Sequence, residues 1–72
     1  SLVVDIDYSR QGLARFLLQH VISIHAKDSL WVETATANRP AMALYASLGF
    51  EVRGEFAKAD GLRMSRLERK RN

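Results

Sequence analysis

Cysteine is absent from the 72-residue sequence, proline occurs once, and aromatic residues make up only 8% of the chain. Without cysteine the chain has no disulfide framework, no thiolate zinc site and no thiol nucleophile. No apolar run approaches the roughly 18 residues that a membrane-spanning helix needs. The first residues also lack the basic segment and apolar stretch of a secretory signal. We therefore expect a cytoplasmic chain with no membrane partner.

Positive charge is concentrated at the C-terminus. Residues 66–72 contain four basic side chains against Glu68, which accounts for the whole net charge of +3. A basic tail can bind nucleic acid, but aromatic side chains that would stack on bases do not interleave with these charges. We favour a solvated strand end over a nucleic-acid partner. His20 and His25 are five residues apart and do not share a helix face, so we predict no metal site.

The apolar pattern predicts six elements. Residues 2–6 form an apolar strand, and a helix capped by Ser9 covers residues 10–27. A second strand covers residues 30–36, followed by a short helix that Asn38 caps and Gly49 ends. Two further strands, residues 50–56 and 62–70, are joined by a hairpin turn. The predicted fold class is α/β or α+β, in the order β-α-β-α-β-β with a mixed sheet.

The first helix has an apolar stripe at helical spacing. Leu13, Leu17, Val21 and Ile24 share one face, with Phe16 beside it. We expect this face to pack on the sheet.

The small-residue turn before the first helix allows two interpretations. Gly12-x-Ala14-x-x-Leu17 follows a strand, and Glu33 lies 21 positions after Gly12, close to the spacing of a ribose-binding acid in dinucleotide sites. Two of the three glycine positions hold other residues, which makes the match weak. A tight turn that only packs the helix on the sheet also remains open.

A second interpretation accounts for more of the chain. The sequence Val4-Asp5-Ile6, then Tyr8, then SRQGLA at residues 9–14 resembles the acetyl-coenzyme A motif of the Gcn5-related N-acetyltransferases, the GNAT superfamily. Asn38, Ala41 and Tyr45, followed by Leu-Gly-Phe at 48–50, resemble its second signature. The resemblance covers roughly residues 2 to 56. Ile6 replaces the usual proline and Ser9 the usual arginine or glutamine, while Arg10 supplies a charge one position along.

The resemblance implies an N-acetyltransferase that uses acetyl-CoA as co-substrate. The backbone N–H groups of four residues at the start of the first helix would bind the pyrophosphate, and Arg10 would lie beside them. The four residues are Gln11, Gly12, Leu13 and Ala14. Val4 and its neighbours would offer main-chain hydrogen bonds to the pantetheine arm and polarise the thioester carbonyl. Asn38 would contact the coenzyme, although it is also an ordinary N-cap.

The implied reaction is direct attack of a primary amine on the thioester in a ternary complex. Tyr45 matches the tyrosine that in this family often protonates the leaving thiolate, although a core aromatic is the competing interpretation. Asp5 and Glu33 are candidate general bases by proximity only. The acceptor amine stays open.

The family's domain begins with strands and helices upstream of the strand at Leu2. We therefore expect residues 1–72 to be the C-terminal part of such a domain, which would neither fold stably nor transfer acetyl groups alone. The alternative is a non-catalytic α/β module that pairs with another chain through its sheet edge, including as a homodimer.

Overall fold

The computed structural model describes residues 2–5 and 11–71, and its elements follow the predicted order. They are β1 (Leu2–Val4), α1 (Gln11–Ile24), β2 (Leu30–Ala35), α2 (Arg39–Ser47), β3 (Glu51–Ala57) and β4 (Arg63–Arg69). Helix α1 ends three residues earlier than predicted, because residues 25–28 form a turn in which the Asp28 N–H donates to the His25 carbonyl at 2.9 Å. Ser9, Arg10 and Tyr8 lie outside the described residues.

The strands form a mixed sheet in the order β1-β2-β4-β3. β1 is parallel to β2, while β4 is antiparallel to both of its neighbours. A parallel pair needs a crossover connection, which α1 provides. The predicted hairpin joins β3 to β4, and Gly61 takes the positive φ of +88° that its turn requires. The predicted fold class is confirmed.

Both helices pack on one face of the sheet around a single core. From the helices the core takes Leu18, Ala41 and Tyr45, and from the strands and the α2–β3 link it takes Leu30, Val32, Phe50 and Leu67. The face that α2 turns toward the core consists of Ala41, Leu44 and Tyr45.

The predicted α1 face is only partly correct: Val21 packs against the core, but the other members of that face are exposed. Ala14 and Leu18 are the fully buried α1 side chains, whereas Leu13, Leu17 and Ile24 are 48%, 44% and 61% exposed. The helix carries apolar residues over a wide arc, and helical spacing alone does not tell which part of the arc meets the sheet. The contact with Leu30 and Val32 turns the Leu18 side inward.

Both ends of α2 are closed as the sequence indicates. The Asn38 Oδ1 accepts a hydrogen bond from the Ala41 N–H at 3.2 Å, and Pro40 lies in the first turn, where no N–H is needed. At the other end Gly49 adopts a φ of +92°. The Arg69 Nε donates to the Leu48 carbonyl at 3.0 Å, so a cation satisfies the helix C-terminus.

The opposite sheet face carries ion pairs. The Arg66 Nε donates to Glu33 Oε2 at 2.7 Å and its guanidinium lies 5.2 Å from the Phe56 ring centroid, while Arg53 pairs with Glu68 at 3.0 Å. Arg66 and Arg69 are thus engaged in contacts within the fold. Within residues 2–5 and 11–71, no helix is long and apolar enough to cross a membrane.

Replacing Leu18 with alanine tests which face of α1 supports the fold. Leu18→Ala should lower the free energy of unfolding by about 2–5 kcal/mol, because it leaves a cavity against β2. Phe16 lies in the same helix but its side chain is exposed. Phe16→Ala should therefore change the free energy of unfolding by less than about 1 kcal/mol. Denaturant unfolding followed by circular dichroism measures both. Equal losses would contradict the observed face.

Candidate functional site

The N-termini of both helices lie at one end of the sheet. α1 follows the carboxyl end of β1, and α2 follows the carboxyl end of the parallel strand β2. The carboxyl ends of parallel strands are where ligands bind in open α/β sheets. First-turn N–H groups without intrahelical acceptors make each helix N-terminus favourable for an anion.

A groove between α1 and α2 opens at this end. It has a volume of about 500 Å³ and is lined by Gly12, Arg15, Pro40, Ala43, Leu44 and Ser47. A Cβ at Gly12 would meet no heavy atom of the described residues within 4 Å, so this part of the structure leaves the space beside the glycine open. The predicted glycine turn therefore borders a cleft that can admit a ligand.

Arg15 supplies a cation to the groove. Its Nη2 donates to the Ser47 Oγ at 3.0 Å, which links α1 to α2 across the cleft. Arg15 is not among the site residues predicted from the sequence. Its spacing of three residues from Gly12 was the available signal, because positions i and i+3 share a helix face.

Ala14 and Leu13, two of the residues predicted to bind the pyrophosphate, have different environments. Ala14 is almost fully buried in the protein, so its small side chain permits close packing of α1 on the sheet. Leu13 projects outward from α1. Only backbone groups of these two residues remain suited to a phosphate. Arg10, also predicted to bind the coenzyme, lies outside the described residues.

Val4 ends the ladder between the two parallel strands. It pairs with Val32, and beyond it Thr34 and Ala35 have no partner strand on the β1 side within the described part of the chain. Among the described residues, the β1 side of β2 therefore has no partner strand beyond Val32. The alternating pattern of the ladder turns the N–H and C=O of Val4 toward β2.

Tyr45 is fully buried in the core and contacts Phe50, with 5.5 Å between ring centroids. Burial raises the pKa of its phenol, and the negative charge of Asp5 raises that pKa further. The same burial makes the phenol a weaker acid than a tyrosine in water. The structure therefore shows Tyr45 as a core aromatic, and its role toward the leaving thiolate stays a prediction.

The remaining candidates lie on different sides of the sheet. Asn38 caps α2 through its Oδ1, and its amide nitrogen makes no hydrogen bond to a described residue. Asp5 is exposed at the end of β1. Glu33 lies on the face opposite the helices, bound to Arg66. That position is away from the α1–α2 groove, which argues against Glu33 as a ribose-binding acid in a dinucleotide site.

Metal ligation finds no support in this arrangement. Residues 2–5 and 11–71 contain no group of three or more histidine, aspartate or glutamate side chains placed to hold an ion.

Comparison with known proteins places these features in a family. The family model described as "Acetyltransferase (GNAT) family" matches residues 1–50. The [Ribosomal protein bS18]-alanine N-acetyltransferase of Escherichia coli strain K12 is 49% identical over 53 residues, 69% of this chain and 36% of that protein. The UPF0157 protein YqkA of Bacillus subtilis is 42% identical over 66 residues, 89% of this chain and 19% of that protein.

A solved structure shows the same fold. The crystal structure of the ribosomal-protein-S18-alanine N-acetyltransferase from Escherichia coli aligns with a TM-score of 0.68 and 38% identity, over 90% of this chain and 47% of that one. The chain thus spans about a third of the length of the acetyltransferases that it matches by sequence. Since the family model covers residues 1–50 of 72, the chain belongs to the Acetyltransferase (GNAT) family.

Proposed function

We propose that the chain is the C-terminal, acetyl-CoA-binding part of an N-acetyltransferase domain. The observation that carries the proposal is the open space at Gly12, beside the α1–α2 groove and at the N-terminus of α1. The residues present fit the co-substrate, because a pyrophosphate needs backbone donors, a cation and room for close approach. The Escherichia coli enzyme that the chain matches is named as an N-acetyltransferase of alanine in ribosomal protein S18, and it is longer than this chain.

The groove residues would hold the coenzyme as an anion. The first-turn N–H groups of α1, from Gln11 onward, donate to the pyrophosphate at the positive end of the helix dipole. Arg15 turns from Ser47 toward a phosphate oxygen, and the Asn38 amide donates to the coenzyme at the other wall. The pantetheine arm then extends alongside Val4, where main-chain groups orient the thioester.

The bound acetyl-CoA supplies an activated acetyl group as a thioester. A primary amine of the acceptor attacks its carbonyl carbon, the C–N bond forms, and the C–S bond breaks. A base takes the proton that the amine loses. The phenol of Tyr45, which burial keeps protonated, gives its proton to the leaving thiolate and is reprotonated from solvent.

Binding of acetyl-CoA by the 72-residue chain tests the proposal. Gly12→Trp should abolish binding in titration calorimetry, because the indole fills the space that the phosphates need. Gly54→Trp is the matched control, since a Cβ at Gly54 also meets nothing within 4 Å but lies on β3. Arg15→Gln should weaken binding by about tenfold, in line with the loss of one charge-assisted hydrogen bond. Equal binding by the Gly12 variant and the unchanged chain would refute the proposed pyrophosphate site at the start of α1.

Transfer by the chain alone tests the domain assignment. With acetyl-CoA and a peptide that begins with alanine, the 72 residues should release no coenzyme A thiol above the rate without protein, because the acceptor-binding elements lie upstream in the proposed domain. Thiol release is measured with a chromogenic disulfide, which the cysteine-free chain does not consume. Turnover that Tyr45→Phe removes would show instead that these residues are a complete catalyst.

The state of Tyr45 has its own signature at high pH. Because folding raises its pKa above the ordinary value of 10.0, the unfolded state ionises first as the pH rises. Stability is therefore complete below pH 10 and falls above it. Tyr45→Phe should remove part of this alkaline loss, measured as unfolding midpoints at pH 8 to 11. Parallel curves for the two proteins would indicate an unperturbed phenol.

A further inference from the structure

Of the described residues that line the α1–α2 groove, Arg15 is the only charged one. Within the described part of the chain no carboxylate lies at ion-pairing distance from it. Arg53, Arg63 and Arg66, in contrast, each pair with a glutamate. The hydrogen bond that Arg15 makes is to the neutral hydroxyl of Ser47. Its positive charge is therefore uncompensated in a cleft, where it favours an anion.

Both walls of this groove are made by residues of this chain. α2 forms one wall from Pro40, in its first turn, to Ser47, its last residue, which spans about 10 Å at the rise of an α-helix. α1 forms the other wall through Gly12 and Arg15. The elements proposed upstream would join the sheet beside β1, on the far side of α1 from α2. The groove therefore does not depend on them.

The two ends of the groove differ in chemistry. Asn38 caps α2 at the Pro40 end, where the proposed function places the pantetheine arm. At the other end the Arg15 Nη2 donates to the Ser47 Oγ at 3.0 Å. In coenzyme A the pyrophosphate joins the pantetheine arm on one side to the adenosine on the other. A coenzyme whose pyrophosphate lies at Gly12 therefore extends its adenosine toward Arg15.

The adenosine of coenzyme A carries a phosphate monoester on its ribose 3′-oxygen. Such a group has a charge of about −1.5 to −2 at pH 7 and three terminal oxygens. The planar fork of a guanidinium matches these oxygens through two parallel N–H···O bonds, while helix N–H groups suit the pyrophosphate. We propose that Arg15 binds the ribose 3′-phosphate, so that the groove selects coenzyme A over its 3′-dephospho form. This assignment rests on the proposed function.

Ser47 positions the guanidinium for this contact. Its hydroxyl donates to the Leu44 carbonyl at 2.7 Å, which leaves the oxygen to accept from Arg15. That bond uses one of the five N–H donors of an arginine side chain. Ser47 thus keeps the guanidinium at this end of the groove, from which it turns to the phosphate.

The C-terminus of α2 would oppose an anion if its carbonyl groups were unpaired, because it is the negative end of the helix dipole. The N–H groups of Leu48, Gly49 and Phe50 donate to carbonyls of the last turn. The Arg69 Nε also donates to the Leu48 carbonyl at 3.0 Å, which brings a second positive charge to this end. The negative end of α2 is therefore already compensated beside Arg15.

Titration calorimetry with acetyl-CoA and 3′-dephospho-acetyl-CoA tests the assignment, because the two ligands differ only in this phosphate. The unchanged chain should bind acetyl-CoA more tightly by about tenfold or more, in line with one charge-assisted contact. Arg15→Gln should lower the affinity for acetyl-CoA about tenfold and leave that for the dephospho form unchanged, so that the ratio of affinities falls to about one. Ser47→Ala should lower the ratio in part, and Ser47→Thr, which keeps the hydroxyl, should restore it.

Arg39→Gln is the matched control for the loss of one positive charge. Arg39 is exposed, has no ion pair within the described residues and lines a cavity between α2 and β3. This variant should leave the ratio of affinities unchanged. If Arg15→Gln weakened both ligands equally, Arg15 would act on the pyrophosphate and the assignment would be overturned.

The unchanged chain also distinguishes this assignment from the proposed function. Equal affinity for the two ligands would overturn the assignment while acetyl-CoA binding stood. Failure to bind either ligand would refute the proposed function and the assignment together.

Phosphorus NMR gives a second readout that does not depend on affinity. The phosphate monoester loses its second proton near pH 6 in water, and its resonance is separate from those of the pyrophosphate. A guanidinium in contact with the phosphate favours the dianion and so lowers this pKa. At saturating acetyl-CoA the pKa of the 3′-phosphate should be lower with the unchanged chain than with Arg15→Gln. The same pKa in both complexes would contradict the contact.

Discussion

Parallel pairing of β1 with β2 is the constraint from which the candidate site follows. Parallel neighbours require a crossover, so α1 must run back over the sheet and begin at the carboxyl end of β1. Because β2 runs in the same direction, α2 also begins at that end. The N-termini of both helices thus lie at the same end of the sheet. The groove at Gly12 results from this connectivity together with a residue that leaves the space empty.

The core links that site to the stability of the fold. Leu18 and Tyr45 fill the space between the helices and the sheet and are fully buried. Tyr45 therefore anchors α2 in the core, and burial keeps its hydroxyl protonated.

Both helices lie on one face of the sheet, and only part of the apolar arc of α1 is buried there. Leu13, Leu17 and Ile24 follow the spacing of a buried face, yet they are exposed in these residues. The chain spans about a third of the length of the acetyltransferases that it matches by sequence.

Several features could be predicted from the sequence, because each depends on neighbouring residues. These are the order of the elements, the fold class, the Asn38 cap, and the glycines at the end of α2 and in the hairpin turn. The glycine turn and the family signature were readable for the same reason. The sequence could not show which side of α1 meets the sheet, that Ala14 is small to allow packing, or that Arg15 reaches Ser47 across the groove. Those features depend on contacts between residues far apart in the chain, such as Leu18 with Leu30 and Arg15 with Ser47. Local sequence determined the elements, and only tertiary packing decided which of their faces became core, groove or open surface.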